Sequence, residues 1–248
     1  MPPANNATHD RLDLAVRAAR AAGAETLRWF RGAELGLERK GDGSPVTAAD
    51  RAAECLLREQ IAAAFPDDSI LGEEYGETVG TSPYRWVLDP IDGTKSFITG
   101  VPLYTTLVAV LEGNRPLLGV VYAPATGELA YAAAGEQTMY DPGNGGQIEA
   151  RVSSVERLAD ATFLTSEVTL FDRAGGKKCR AVYEQLEQAC RVTRTWGDAY
   201  GYLLVATGRA DVMVDPQMNL WDAAALQPVI EGAGGHFSDW QGRPSVHT

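Results

Sequence analysis

The stretch from Trp86 to Gly100 constrains this chain more than any other. Its apolar start, Trp86-Val87-Leu88, reads as the end of a buried strand. The strand delivers Asp89 to its edge, because Pro90 has no backbone N–H and cannot continue a central ladder. Ile91, Asp92 and Gly93 follow, and the glycine tolerates backbone angles that other residues avoid. Thr94 suits the N-cap of a short helix through Lys95, Ser96 and Phe97. Two carboxylates, a free carbonyl at Ile91 and a hydroxyl therefore converge just beyond one strand end, facing the first amides of a helix. An Asp-Pro turn followed by an Asp-Gly turn would account for a few of these residues, not for the whole string.

Hard oxygen ligands without nitrogen or sulfur suit Mg²⁺, which takes carboxylates, water and substrate phosphate. A helix N-terminus suits the phosphate itself. The two sharing one turn points to metal-assisted phosphoryl transfer to water. Other chemistries lack their parts. His9, His236 and His247 lie away from the acidic turn, the three cysteines have no CxxC spacing, and neither a P-loop nor a G-x-S-x-G elbow is present.

Around this centre, residues 11–31 and 48–65 carry apolar positions at helical spacing, the second helix capped by Thr47. Between them, Lys40 to Thr47 is Gly-rich and reads as a loop. Strands are expected at 69–71, 85–88, 104–112, 116–122, 128–134, 162–166, 210–214 and near 235–238. Helices are expected at 176–190, 197–207 and 219–233. Hairpins mixed with alternating strands and helices fit a layered α+β or α/β arrangement rather than a purely parallel sheet. Turn-forming residues from Asp141 to Gly146 make the best boundary, dividing an N-terminal lobe, 1–140, from a C-terminal lobe, 141–248.

The net charge of -11, from 33 acidic and 22 basic residues, argues against nucleic-acid or anionic-membrane partners. An anionic substrate stays possible where a cation reverses the local sign. No stretch is long and apolar enough to span a bilayer, and the N-terminus has no signal-peptide core. With three sparse cysteines, this fits a cytoplasmic protein.

Further acids accompany the central turn. Glu73 and Glu74 follow the strand at 69–71; adjacent loop acids of this kind are otherwise solvated surface. Asp222 follows Trp221 at the start of an alanine-rich helix, where it or Asn219 could serve as a cap. Asp50 sits in the first turn of its helix, a position the helix dipole favours for an acid. Asp198 follows Gly197 and could cap the next helix.

Asp89-Pro90-Ile91-Asp92-Gly93-Thr94 resembles the signature of the inositol monophosphatase-like superfamily, the lithium-sensitive, Mg²⁺-dependent phosphatases. The fuller string through Lys95-Ser96-Phe97-Ile98-Thr99-Gly100-Val101-Pro102-Leu103 looks more like its histidinol-phosphatase branch, as do the segments around Trp196-Gly197-Asp198 and Asp215-Pro216-Gln217. The resemblance extends from about Leu12 to Arg243. It implies an αβαβα layered fold with the metal site between two lobes. It assigns Glu73, Asp89, the Ile91 carbonyl, Asp92 and Asp222 to two or three Mg²⁺, and Asp92, Gly93 and Thr94 to the phosphate. Glu73, Thr94 and Asp50 are implied to orient the attacking water, and Lys40 and Asp42 to help hold a weakly bound metal. Relatives usually continue for a short strand and helix past the position of Thr248, so either the chain is cut short there or its end differs. Li⁺ sensitivity and a homodimer are also implied. For the dimer, 164–171 could be an interface or a core strand running into a loop.

The substrate should be a small phosphate monoester held by Arg194, Asp198, Asp215 and Asn219. Asp198 stands where inositol phosphatases have a small residue, and an added carboxylate suits a cationic amine. L-Histidinol phosphate, an intermediate of histidine biosynthesis, carries one. Inositol-1-phosphate is the chief alternative, then bisphosphate esters. A catalytically inactive metal- or anion-binding module is the remote alternative, disfavoured because every acid of the set is present.

Overall fold

Alternation along neighbouring strands decides the layering. In strand 84–92, Trp86 and Leu88 bury against one helical layer while Val87 buries against another. The next strand does the same, with Val108 and Val110 on one face and Leu107, Ala109 and Leu111 on the other. A sheet apolar on both faces must be covered on both.

The computed structural model describes residues 6–32, 35–39, 41 and 45–246. Its strands are β1 (Glu38–Arg39), β2 (Pro45–Val46), β3 (Ser69–Gly72), β4 (Gly76–Thr78), β5 (Tyr84–Asp92), β6 (Thr105–Glu112), β7 (Arg115–Ala123), β8 (Glu128–Ala133), β9 (Met139–Asp141), β10 (Ile148–Glu149), β11 (Thr162–Leu164), β12 (Val192–Arg194) and β13 (Val212–Met213). The helices are α1 (Asn6–Leu27), α2 (Ala48–Ala64), α3 (Thr94–Ile98), α4 (Leu170–Ala189), α5 (Ala199–Ala206), α6 (Leu220–Ala223) and α7 (Leu226–Gly232).

Eight strands form the large sheet in the order β10-β9-β8-β7-β6-β5-β3-β4. Only the β3–β5 pair is parallel; the others are antiparallel. Helices α1 and α2 cover one face, through Ala15, Ala18, Ala22, Leu57 and Ile61. Helices α5, α6 and α7 cover the other, through Leu203, Ala223, Leu226 and Val229. A small parallel sheet, β12-β11-β13, lies beyond α5. Leu164 faces the α5 side, while Phe163 packs with Phe171 and Tyr183 of α4. The layers are thus α, β, α, β, α, as the resemblance implies. Helix α5 is apolar nearly all round because it lies between two sheets.

Several expectations need correction. The central strand does not end near Asp89; β5 runs through Pro90 to Asp92, and its register with β6 shifts between Asp89 and Asp92. The irregularity leaves the proline no ladder bond to donate. Thr94 is the first residue of α3, and the cap is Gly93, at φ 81°. The expected helix 219–233 is two, α6 and α7, and α4 begins at Leu170 with a break at Gly176. No strand forms at 235–238. The turn after Asp141 joins β9 to β10 within the large sheet, so the chain leaves that sheet only after Glu149. Leu164 and Phe171 are fully buried, so the apolar ends of 164–171 belong to the core, while Thr169 between them is exposed.

Behind the central strand, Arg11 of α1 pairs with Asp68 at 2.8 Å, and Asp68 also accepts the indole N–H of Trp86 at 2.9 Å. The guanidinium lies over the rings of Phe65 and Tyr84, at 4.3 and 3.8 Å. This satisfied buried network ties α1 to the base of β5.

Candidate active site

The site lies at the carboxyl end of the parallel pair. Strand β3 pairs with β5 only as far as Leu88, so the last residues of β5 extend past their parallel neighbour. Val87 faces the α6 and α7 layer, and two-residue alternation turns Asp89 the same way, toward Asp222 of α6. Carboxylate oxygens of Asp89, Asp92 and Asp222 lie within 4.8 Å of one another.

Burial and like charge act together on this group. Asp89 is held well above the ordinary carboxylate range, first by burial, then by Glu73, Asp92 and Asp222. Asp92 is raised well above it by burial and by Asp198 and Asp222, against the opposing pull of the Ala199 amide and the Thr105 hydroxyl. Asp222 is raised to about 7, chiefly by burial, with Glu73 and Asp198 adding to it and Asn219 opposing. Among the described residues, no lysine or arginine forms an ion pair with any of the three. Converging buried carboxylates without a cationic side chain are a donor set that fits a hard divalent cation.

Glu73 enters from the end of β3, its amide donating to the Leu88 carbonyl at 3.2 Å. The Ile91 carbonyl accepts the Thr94 hydroxyl at 3.1 Å. Asp50 enters from α2 and is buried. One oxygen, Oδ2, accepts the amide and the hydroxyl of Thr47 at 2.8 and 2.5 Å, which closes the cap of α2. The other, Oδ1, is buried and has no hydrogen-bond partner. Burial, opposed by Thr47, raises the Asp50 carboxyl, and Glu73 adds to the rise. Thr94 therefore bonds to Ile91 rather than to Asp50.

The second half of the chain is fastened to this turn. Asp92 Oδ2 accepts the Ala199 amide at the start of α5 at 2.6 Å, and the Thr105 hydroxyl at 3.1 Å. Asp198 occupies the N-cap position of α5 but makes no capping hydrogen bond. Its carboxyl is raised to about 6, first by burial and then by Asp215, with Lys95 opposing. Gly93 makes room for it, since a Cβ at Gly93 would fall 2.8 Å from Asp198 Oδ2. At the mouth, Lys95 of α3 pairs with Glu167 from the other half.

The remaining sequence candidates are placed differently. Asp215 is held by Thr165, by both the amide and hydroxyl of Ser166, and by Tyr202. Asn219 is exposed and closes a capping box with Asp222, so Asp222 is both cap and member of the acidic cluster. Arg194 is exposed on β12 and donates to the Thr193 carbonyl. Lys40 and Asp42 lie outside the described residues. One participant escaped sequence reasoning. Glu54 of α2 is fully buried and accepts the amides of Glu74 and Tyr75, immediately after Glu73. Its only sequence signal is the i, i+4 spacing from Asp50 and to Arg58.

The family model described as the inositol monophosphatase family matches residues 8–248. A histidinol-phosphatase of Chlorobaculum parvum is 42% identical, over 95% of this chain and 88% of its own length. A histidinol-phosphatase of Streptomyces coelicolor is 38% identical, over 96% and 90%. Among solved structures, an inositol monophosphatase from Zymomonas mobilis superposes with a TM-score of 0.82 at 35% identity, covering 97% of this chain and 89% of that one.

Proposed function

On the premise that the chain belongs to the inositol monophosphatase family, we propose that it hydrolyses L-histidinol phosphate to L-histidinol and phosphate. The protein is a phosphoric monoester hydrolase of a metal-dependent family; the alcohol and the cation are what the proposal adds. In this reading Glu73, Asp89, Asp92, Asp222 and the Ile91 carbonyl hold two or three Mg²⁺. Bound there, the cations would neutralise charge on the phosphoryl oxygens and make water a better nucleophile at neutral pH.

The chain's own groups orient the reaction. The Gly93 and Thr94 amides donate to the phosphate. Asp50 Oδ1, the acceptor left without a partner, takes a hydrogen bond from the attacking water, together with Glu73 and Thr94. The water oxygen bonds to phosphorus as the bond to the alcohol oxygen breaks, and a proton passes to that departing oxygen.

One observation carries the choice of alcohol: the half-buried Asp198 carboxylate makes no capping bond and stands beside Gly93. A carboxylate in such a place lacks a partner until a cation arrives, and the ammonium of histidinol phosphate supplies one. Asp215 backs the same pocket, with Arg194 and Asn219 assigned to its rim. The histidinol-phosphatase relatives support the same alcohol. A cytoplasmic homodimer belongs to this reading, the compartment supported by three free cysteines.

The test is kcat/KM for L-histidinol phosphate beside inositol-1-phosphate at saturating Mg²⁺. A neutral polyol leaves Asp198 unpaired, so discrimination of about a hundredfold or more is expected. Equal values, or a preference for the inositol ester, would reject the alcohol while leaving the hydrolase in place.

A further inference from the structure

We propose that Glu54 is a positioning residue that sets Glu73 for cation binding. The proposal rests on the reading of Glu73 as a cation ligand. Three residues of α2 stand in one row at i, i+4 and i+8, namely Asp50, Glu54 and Arg58. Asp50 faces the site. One turn further along, the fully buried Glu54 carboxylate is covered by the turn that joins β3 to β4. Its Oε2 accepts the Glu74 amide at 2.7 Å. Its Oε1 accepts the Tyr75 amide at 3.2 Å and the Arg58 Nε–H at 2.8 Å. Arg58 also donates to the Gly76 carbonyl, at the far end of the turn.

These bonds fix the backbone on one side of Glu73. On the other side, the Glu73 amide is held by the Leu88 carbonyl of β5. Gly72 is the consequence of the close approach, because a Cβ there would fall 2.0 Å from Glu54 Oε1. A buried acid packed against a glycine and two turn amides is a costly way to hold a surface loop. It is an effective way to hold a ligand whose carboxylate must enter a crowded acidic cluster at one angle. Partners of this kind, one shell behind a metal, set the orientation of the ligands they support.

The prediction follows from counting donors. In Glu54→Gln one carboxylate oxygen becomes an NH₂ group, so either the Glu74 amide or the Tyr75 and Arg58 donors face another donor. In Gly72→Ala the carboxylate is pushed away while its chemistry is kept. The probe is Mn²⁺ binding to the full-length, metal-free protein by calorimetry, with near-ultraviolet circular dichroism to establish folding. Both variants are expected to bind Mn²⁺ about tenfold or more weakly, while KM for the phosphate ester at saturating Mg²⁺ stays within about twofold. A merely structural Glu54 would lower the melting temperature without this split. Either variant, folded and binding Mn²⁺ within about twofold of the parent, overturns the proposal. Should Glu54→Gln fail to fold, Gly72→Ala decides alone; if it too fails, the turn serves folding rather than ligand placement and the proposal falls. Glu73→Gln is the control. Undiminished Mn²⁺ binding there would reject Glu73 as a ligand; a loss there and not at Glu54 or Gly72 would reject the positioning role alone.

Discussion

Replacing Asp222 with Asn should make the metal-free protein more stable while abolishing tight cation binding. The Asp222 carboxyl is raised from its ordinary value of 3.8 to about 7, chiefly by burial, then by Glu73 and Asp198. Keeping it ionised in the folded protein above pH 7 therefore costs up to about 4 kcal/mol, at 1.36 kcal/mol per pH unit. Partial protonation of Asp89 and Asp92 relieves some of the repulsion, which leaves about 2 kcal/mol for the substitution to recover. The amide keeps an acceptor for the Asn219 N–H, so little capping is lost. For a chain of this size the gain is about 4–8 °C in melting temperature. Because the folded-state pKa lies above that of the unfolded chain, the folded protein holds the extra proton. Stability is therefore lost as pH rises from about 4 to 7. The gain should be full near pH 8 in chelator and shrink to about a quarter near pH 4.5. Thermal melts of both proteins at the two pH values check this, and a variant that melts no higher than its parent near pH 8, or equally higher at both, refutes it.

Two further outcomes are expected. With Asp198 raised to about 6, KM for histidinol phosphate should climb as pH falls through that value and the carboxylate is protonated; Asp198→Ala should raise KM and remove this pH dependence, sparing an aryl phosphate whose leaving group carries no ammonium, and equal losses on both esters would return Asp198 to a structural role. Gly93→Ala places a side chain at φ 81° and 2.8 Å from Asp198 Oδ2; a loss of about 1–2 kcal/mol in thermal unfolding, with a fall in kcat, is expected, and an unchanged melt would show that the turn adapts.

The chemistry of the turn was legible because it is local. Asp89, Asp92, Gly93 and Thr94 lie in one short string, and the order of residue types carries the meaning. What lay outside depended on tertiary contact. From its own residues Asp222 reads as a cap, and only the resemblance assigned it to the metals; with α6 packed against the end of β5 it is a cap and a cluster member together. Glu54 was invisible because an acid four residues before an arginine on an amphipathic helix reads as a surface pair. Pro90 misled because a proline argues against a central strand, unless the ladder is irregular at that point. The strand expected at 235–238 has the composition of one, but among the described residues it pairs with no other strand.

The bond from Asp92 to the Ala199 amide bears on how enzymes of this architecture diverge. It anchors the backbone at the start of α5 from outside that helix, using a side chain that the proposed chemistry also requires. The adjacent side chain at Asp198 makes no capping bond, so the helix start does not depend on it. Position 198 can therefore change in descendants without unseating the helix, although losing its carboxylate would ease the upward shift of Asp92 and Asp222. On the proposed reading, a single-codon change there would try a new alcohol with every acid assigned to the cations retained, whereas a change at Asp92 would forfeit the helix anchor and a cation ligand at once.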